Sequence, residues 1–161
     1  MELVVAAKPG QSESADSRSS QEARASVLLV EDTEDNRFMM RRLLEMSGYR
    51  VAEATDGVEA VRTAEYERPE IILMDLSLPI IDGLAATRRI RQLPELGNIP
   101  IIAVSAHDTA DFHAEALAAG CDAYVTKPID YSELEDLITR LLAKSKTDRA
   151  IEQDYMKLLK R

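Results

Sequence analysis

The sequence predicts an α/β fold, a doubly wound sheet of five parallel strands in a (βα)5 arrangement. Three observations predict it. Short apolar runs alternate five times with amphipathic stretches between residues 27 and 143. The run at 71–74 is wholly apolar, as a central parallel strand should be. The length of 161 residues with 45% hydrophobic content suits one such core.

Each unit pairs a predicted strand with the helix that follows it. Runs rich in Val, Ile and Leu indicate the strands, and apolar residues recurring every three to four positions indicate the helices. In chain order, the units are 27–30 with 35–46, 50–53 with 58–66, 71–74 with 84–91, 101–104 with 110–119, and 123–126 with 132–143.

Turn and cap residues stand where these units join. Gly48 and Gly120 follow predicted helices and are expected in the left-handed conformation that ends a helix. Asp130, three residues before Glu133, is a predicted N-cap of the last helix. Two more junctions carry dipeptides typical of turns, Asp56-Gly57 and Asp82-Gly83.

The flanks of the predicted domain, 27–143, differ from it in composition. Residues 1–26 are polar and aperiodic, and we expect a flexible leader. Residues 144–161 carry a net charge of +3. No Gly or Pro follows Pro128, so the last helix can extend into this tail, where four apolar residues recur at helical spacing, Ile151, Tyr155, Leu158 and Leu159. Two interpretations stay open, a frayed basic tail or a helical extension that docks a partner, including a homodimer through 131–161.

Charge and composition exclude several functions. The net charge is −9, and 27–143 carries 22 acidic against 11 basic residues, which disfavours DNA as a partner. One cysteine, Cys121, excludes an intramolecular disulfide. The sequence has no apolar run of membrane-spanning length, so we expect a cytoplasmic protein without membrane contact.

Polar residues follow four of the five predicted strands. They are Glu31, Asp32, Asp75, Ser105 and Lys127. Because ligands of such sheets bind outside the carboxyl ends of the strands, these side chains should converge. Three carboxylates so close together repel one another, at roughly 4 kcal/mol for a pair 4 Å apart at an effective dielectric of 20. A hard divalent cation relieves that repulsion, so Mg²⁺ is the expected cofactor.

Asp75 is the carboxylate that follows the most apolar strand. A carboxylate held rigidly there can attack phosphorus in line and form an acyl phosphate, with Mg²⁺ and Lys127 stabilising the phosphoryl oxygens. Ser105 can donate a hydrogen bond to the same group.

These motifs, in this order, resemble a receiver domain of bacterial two-component response regulators. The resemblance covers 27–143 and predicts a flavodoxin-like strand order of 2-1-3-4-5. It is carried by the segments VLLVED at 27–32, ILMD at 72–75, LPxxDG at 78–83, AVSA at 103–106 and YVTKP at 124–128.

The resemblance also implies a role for each site residue. Asp75 is the implied phosphoacceptor. Lys127 contacts the phosphoryl group, and Pro128 follows a cis peptide bond. The implied magnesium ligands are Asp32, Asp75 and the backbone carbonyl of Ser77, with Glu31 acting through water.

A second group of residues is implied to relay and tune the signal. Ser105 and Tyr124 form the switch pair, in which the hydroxyl moves toward the phosphoryl group and the ring rotates inward. Ser77 and His107 occupy positions that tune the lifetime of the phosphorylated state.

The predicted function is that of a stand-alone receiver protein. It takes a phosphoryl group from a histidine kinase or phosphotransfer protein and signals through a downstream protein target. We expect slow autodephosphorylation and no turnover enzyme activity. A phosphatase with an aspartyl-phosphate intermediate is disfavoured, because Ser77 stands where such an enzyme needs an acid. Two alternatives stay open, a receiver excised from a hybrid histidine kinase and a receiver-like scaffold that is not phosphorylated.

Two helix surfaces complete the predictions. Arg88, Arg89 and Arg91 are expected on a mostly solvated face of the third helix. The apolar residues of the first helix are expected mostly in the core, with an exposed remainder that docks the kinase; they are Phe38, Met39, Met40, Leu43 and Leu44.

Overall fold

The computed structural model describes residues 22–160, which form one five-stranded parallel sheet with helices on both faces. The strands are β1 (Ser26–Val30), β2 (Arg50–Ala54), β3 (Ile71–Asp75), β4 (Ile101–Ser105) and β5 (Ala123–Thr126). The helices are α1 (Glu34–Met46), α2 (Gly57–Glu67), α3 (Gly83–Gln92), α4 (Ala110–Ala119) and α5 (Tyr131–Leu159).

The strand order is β2-β1-β3-β4-β5, which confirms the predicted doubly wound fold. Every residue of β3 and β4 is buried. The register pairs Asp75 with Val104 and Ser105 with Thr126, so the strand ends that carry polar residues lie side by side.

Two apolar clusters cover the two faces of the sheet. One cluster contains residues of α2, α3 and α4, among them Ala60, Ile90 and Ala116. The other contains Leu44 of α1 with three residues of α5, Leu134, Ile138 and Leu142. Burial of these side chains, each fully buried Leu or Ile contributing about 1.5–3 kcal/mol, fixes the helices against the sheet.

The helix ends follow the predicted punctuation with one difference. Gly48 and Gly120 have φ of 93° and 110°, as predicted. Asp130 accepts a hydrogen bond from the Glu133 amide at 3.2 Å and caps α5. The two Asp-Gly dipeptides are N-caps rather than turns: each aspartate accepts from an amide three residues on, and each glycine is the first residue of its helix, α2 or α3.

Arg91 contradicts the expectation of a solvated α3 face. Its side chain is 17% exposed, whereas Arg88 and Arg89 are exposed as predicted. Its guanidinium donates to the carbonyl oxygens of Gly120 and Ile99, and to Asp122 at 2.9 Å. Arg91 therefore ties the loops at the amino-terminal end of the sheet together, a role that helical periodicity does not reveal.

The expectation for the apolar residues of the first helix is confirmed in part: Met40 and Leu43 are half-buried, and an exposed remainder exists as predicted. Leu44 is the one α1 residue that is fully buried, while Phe38 and Met39 are 65% and 63% exposed. The helix packs through a narrow stripe, so an apolar surface remains open beside the carboxyl end of the sheet.

The flanking segments meet the domain differently. Of the predicted leader, residues 1–21 lie outside the described residues. Arg24 donates to Glu135 at 2.7 Å and stacks over the Tyr49 ring, and Ala25 is buried. At the other end, α5 continues to Leu159, as the predicted helical extension requires. Within residues 22–160, no helix is both long enough and apolar enough to cross a membrane.

Candidate functional site

Three carboxylates converge at the carboxyl end of the sheet. Carboxylate oxygens of Glu31, Asp32 and Asp75 lie within 4.8 Å of one another. Glu31 and Asp75 are 7% and 3% exposed, whereas Asp32 faces solvent. Because β1 and β3 are neighbouring parallel strands, their ends place these side chains together, as the sequence predicts.

Lys127 lies at the same rim and bridges two of the carboxylates. Its ammonium donates to Asp75 Oδ2 at 3.1 Å and to Glu31 Oε2 at 3.2 Å. Partial burial lowers the pKa of Lys127, but the hydrogen bond and charge of Asp75, together with Glu31, outweigh burial and raise that pKa above its ordinary value. One ammonium thus offsets part of the charge of three carboxylates.

The backbone holds the Asp75 carboxylate in place. The amide of Ser77 donates to Asp75 Oδ1 at 2.9 Å, so both carboxylate oxygens have a donor. Gly83 packs directly beneath: a Cβ on this residue would lie 2.2 Å from the Asp75 carbonyl oxygen. The carboxylate is therefore presented at the rim by a rigid, closely packed loop.

Ser105 and Tyr124 occupy the neighbouring strands. The buried Ser105 Oγ accepts from the His107 amide at 3.1 Å, and no hydrogen bond within residues 22–160 joins it to Asp75. The Tyr124 hydroxyl donates to the His107 carbonyl at 2.6 Å. The Tyr124 ring stacks on the His113 ring, with centroids 3.9 Å apart. These contacts hold the half-buried Tyr124 ring against the β4–α4 loop and α4.

An apolar groove of about 510 Å³ adjoins the carboxylates. It lies between α1 and the β5–α5 loop, in which the Lys127–Pro128 peptide bond is cis. Its apolar walls come from Met39, Met40, Leu43, Pro128 and Ile129. The groove opens onto Asp75 and Lys127, so an apolar segment of another protein that enters it would reach the carboxylates.

The donor set fits a hard divalent cation. Oxygen ligands from one or two carboxylates, with positions left for water and phosphate, are what Mg²⁺ prefers. Glu31, Asp32 and Asp75 supply such oxygens on a rim that keeps excess negative charge after pairing with Lys127. The third implied ligand position, Ser77, is placed beside Asp75 by its amide.

Sequence reasoning missed two features of this region. His113 stacks on Tyr124, and its Nε2 lies 2.9 Å from Asp108 Oδ1. His107 stacks on Phe112 with centroids 4.3 Å apart. One signal for the position of His113 is present in the sequence. His113 stands four residues after Thr109, the N-cap of α4, and therefore lies one turn into that helix.

Comparison with known proteins gives one consistent result. The family model described as the response regulator receiver domain matches residues 27–139. The polar-differentiation response regulator DivK of Brucella anthropi is 38% identical over 117 residues, which cover 73% of this chain and 95% of that protein.

Solved structures agree in fold. The receiver domain of the sensor histidine kinase PA1611 from Pseudomonas aeruginosa has a TM-score of 0.70 and 39% identity, covers 74% of this chain and 98% of that one, and holds a magnesium ion in its active-site cleft. A response regulator from Chloroflexus aurantiacus has a TM-score of 0.71 and 29% identity, with coverage of 74% and 98%.

Proposed function

The chain belongs to the response regulator receiver domain family, and from that premise we propose that it accepts a phosphoryl group on Asp75 from a histidine kinase or phosphotransfer protein. One observation carries the proposal. The buried Asp75 carboxylate sits between an ammonium and a backbone amide, in a cluster of oxygen ligands suited to Mg²⁺. Nucleophile, cation and metal ligands are thus within reach of one phosphoryl group.

In the proposed step, a carboxylate oxygen of Asp75 attacks the phosphorus of a phosphohistidine. The new O–P bond gives an acyl phosphate, the P–N bond breaks, and the departing imidazole nitrogen takes a proton from solvent. Lys127, already 3.1 Å from Asp75, stays beside the transferred group and stabilises its oxygens.

Magnesium is the proposed cofactor, held by Asp32 and Asp75 with Glu31 and Ser77 beside them. When bound, Mg²⁺ neutralises charge on the phosphoryl oxygens. The chain's own contribution is to hold the carboxylates rigid and to keep Lys127 oriented toward them.

Phosphorylation is proposed to act through the switch pair. It adds a charge of about −1.5 to −2 and three acceptor oxygens at Asp75. Ser105 can then exchange its bond with the His107 amide for a bond to the phosphoryl group. That exchange moves the β4–α4 loop, whose His107 carbonyl holds Tyr124, and so frees the ring to turn inward.

The phosphodonor is proposed to dock on the surface of α1 and the groove beside it. Phe38 and Met39 are exposed there, and the groove opens onto Asp75. An amphipathic helix that carries the phosphohistidine fits such a surface, because its apolar face covers the exposed side chains. The downstream partner is proposed to be a protein, and residues 22–160 hold no separate DNA-binding unit.

The chain is proposed to act as a phosphoacceptor rather than as a turnover enzyme. Water attack on the acyl phosphate regenerates Asp75 and releases inorganic phosphate. Ser77 lies two residues after the nucleophile and has no acidic group, so residues 22–160 offer no acid at that position to accelerate the hydrolysis.

The test is phosphorylation of the full chain by acetyl phosphate with Mg²⁺, followed by intact mass. The wild type should gain one phosphoryl group that hydroxylamine removes, and Asp75→Asn should gain none. Asp136→Asn, an exposed carboxylate on α5, is the matched control and should behave like the wild type. A folded wild type that stays unmodified, or equal labelling of Asp75→Asn, would contradict the proposal.

A further inference from the structure

The second half of α5 presents an apolar face that nothing in the described part of the chain covers. Leu142 is the last buried residue of the helix, yet α5 continues to Leu159. Ile151, Tyr155 and Leu158 are between 60% and 67% exposed. Large apolar side chains in such a row indicate a surface that packs against another helix.

This face has the spacing of a coiled-coil seam. Alternate steps of four and three residues, the heptad pattern, connect Leu137, Leu141, Lys144, Asp148, Ile151, Tyr155 and Leu158. The first two are half-buried at the edge of the domain and the other five are exposed. The seam therefore continues from the folded domain into the extension, and its middle part lines a cleft beside the loops at the amino-terminal end of the sheet.

The seam of one copy is complementary to the seam of a second copy that runs in the opposite direction. When two copies of α5 are aligned antiparallel about position 146, Leu137 of one copy meets Tyr155 of the other. In the same way Leu141 meets Ile151, and Lys144 meets Asp148. Apolar layers then meet apolar layers, and the two charged layers meet with opposite sign. We propose that a second copy of this chain covers this face, with the two α5 helices antiparallel and a two-fold axis that crosses the seam at the level of position 146.

Charge favours the antiparallel arrangement. Within residues 22–160, neither Lys144 nor Asp148 has an ion-pair partner, although both are exposed. In the antiparallel dimer, each lysine meets the aspartate of the other copy. In a parallel pair, each lysine would face a lysine and each aspartate an aspartate, which is repulsive. Arg140 and Asp154 flank the seam on one side and add a second complementary pair.

The domain reduces the cost of forming this helix pair. The overlap from Leu137 to Tyr155 is only about 27 Å long, at 1.5 Å per residue, and isolated helices of that length are marginal. Here the first part of each helix is already fixed by Leu134, Ile138 and Leu142 in the core. Less conformational entropy is lost on association than for a free peptide. The dimer needs no phosphoryl group, so the proposal is independent of the proposed function.

Sedimentation velocity of the full chain tests the seam. The wild type should show a concentration-dependent dimer at up to about 100 µM, and Ile151→Glu should be a monomer. Lys144→Glu should weaken the dimer by about tenfold, because the new carboxylate in each copy then faces Asp148 of the other copy. Lys146→Glu makes the same charge change on the opposite face of the helix and should have little effect. A monomeric wild type, or equal effects of the two lysine variants, would overturn the proposal, with far-UV circular dichroism confirming that each variant keeps its helix.

Cross-linking tests the orientation. In a Cys121→Ser background, Thr147→Cys places a thiol beside the two-fold axis, so a short thiol cross-linker should join two copies. Tyr155→Cys places its two thiols about 27 Å apart in the antiparallel pair and should not cross-link. Efficient cross-linking through position 155 would indicate parallel helices and refute the antiparallel dimer.

Discussion

The Tyr124 hydroxyl donates a 2.6 Å hydrogen bond to the carbonyl oxygen of His107, two residues beyond the buried Ser105. The same tyrosine ring stacks on His113, so one bond and one stack hold the half-buried ring in place. The His107 amide donates to Ser105 Oγ as well, so His107 contacts both members of the proposed switch pair, Ser105 and Tyr124.

His113→Ala should make the proposed activation easier. Removing a stacked aromatic pair worth roughly 0.5–1.5 kcal/mol takes support from the position that the Tyr124 ring occupies in this structure, so the ring can leave it more readily. We expect phosphorylation by acetyl phosphate to become about two- to tenfold faster, measured by intact mass over time. His113→Phe keeps a ring in the stack and should retain the wild-type rate. Equal rates for the alanine and phenylalanine variants would show that the stack does not restrain Tyr124.

Magnesium should stabilise the folded chain. At a concentration ten times its dissociation constant, a ligand of the folded state alone adds about 1.4 kcal/mol, which corresponds to a rise in Tm of about 3–6 °C for a chain of this size. Asp32→Asn removes one exposed ligand of the cluster and should lose most of that rise. Thermal melts with and without Mg²⁺ measure it, and Asp136→Asn serves as the control. An undiminished rise in Asp32→Asn would place the ion elsewhere.

Arg91→Ala should destabilise the chain by about 3 kcal/mol. The substitution removes the hydrogen-bond donor of the Gly120 and Ile99 carbonyl oxygens and of the Asp122 carboxylate. Asp122 also accepts from the Ile101 amide at 2.8 Å, so the loss extends to the start of β4. Urea unfolding gives the free energy. Arg88→Ala on the solvated face of α3 should change it by less than about 0.5 kcal/mol. Similar losses in both variants would refute the loop-tying role of Arg91.

Gly83→Ala should disturb both stability and the site. The added methyl would lie 2.2 Å from the Asp75 carbonyl oxygen and 2.8 Å from the Leu76 Cα, so the β3–α3 loop must shift. We expect a loss of about 1–3 kcal/mol and slower phosphorylation of Asp75. Gly97→Ala is the matched control, since its nearest neighbour would be 3.5 Å away. A Gly83→Ala variant as stable and as reactive as Gly97→Ala would contradict the close packing.

Alkaline pH should reveal the environment of Cys121. Burial raises the pKa of this thiol above its ordinary value of 9.0, and the Thr87 hydroxyl at 3.8 Å offsets the rise only in part. Above pH 9 the unfolded chain therefore releases a proton that the folded chain keeps, and the free energy of unfolding falls, by at most about 1.4 kcal/mol per pH unit from this group. Urea unfolding between pH 8 and 10 should show a shallower fall for Cys121→Ala. Lys127, whose pKa is also raised, contributes a similar loss, but only above about pH 10.5. Equal slopes for wild type and variant would mean that the thiol ionises alike in both states.

Strand ends made the site predictable from sequence, and side-chain directions made part of it unpredictable. Asp75 is the last residue of β3 and Lys127 directly follows β5. Because the carboxyl ends of parallel strands lie at the same edge of the sheet, the topology predicts that these two side chains lie close together. The direction of Tyr124 depends on His107 and His113, which come from a loop and a helix whose packing no local pattern encodes. Arg91 shows the same limit: helix periodicity alone does not reveal that loops distant in sequence present carbonyl oxygens to it.

The unbroken course of α5 makes it a lever. Its 29 residues contain no Gly or Pro at which a hinge would form, and they span about 44 Å. The lever is anchored at one end through Tyr131, whose hydroxyl donates to the Leu43 carbonyl, and through the core contacts that follow. The part of α5 beyond Leu142 is about 26 Å long, so a tilt of about 10° at its anchored end would carry Leu159 roughly 4 Å, and a small repacking beside the sheet becomes a displacement of several ångströms at the far end.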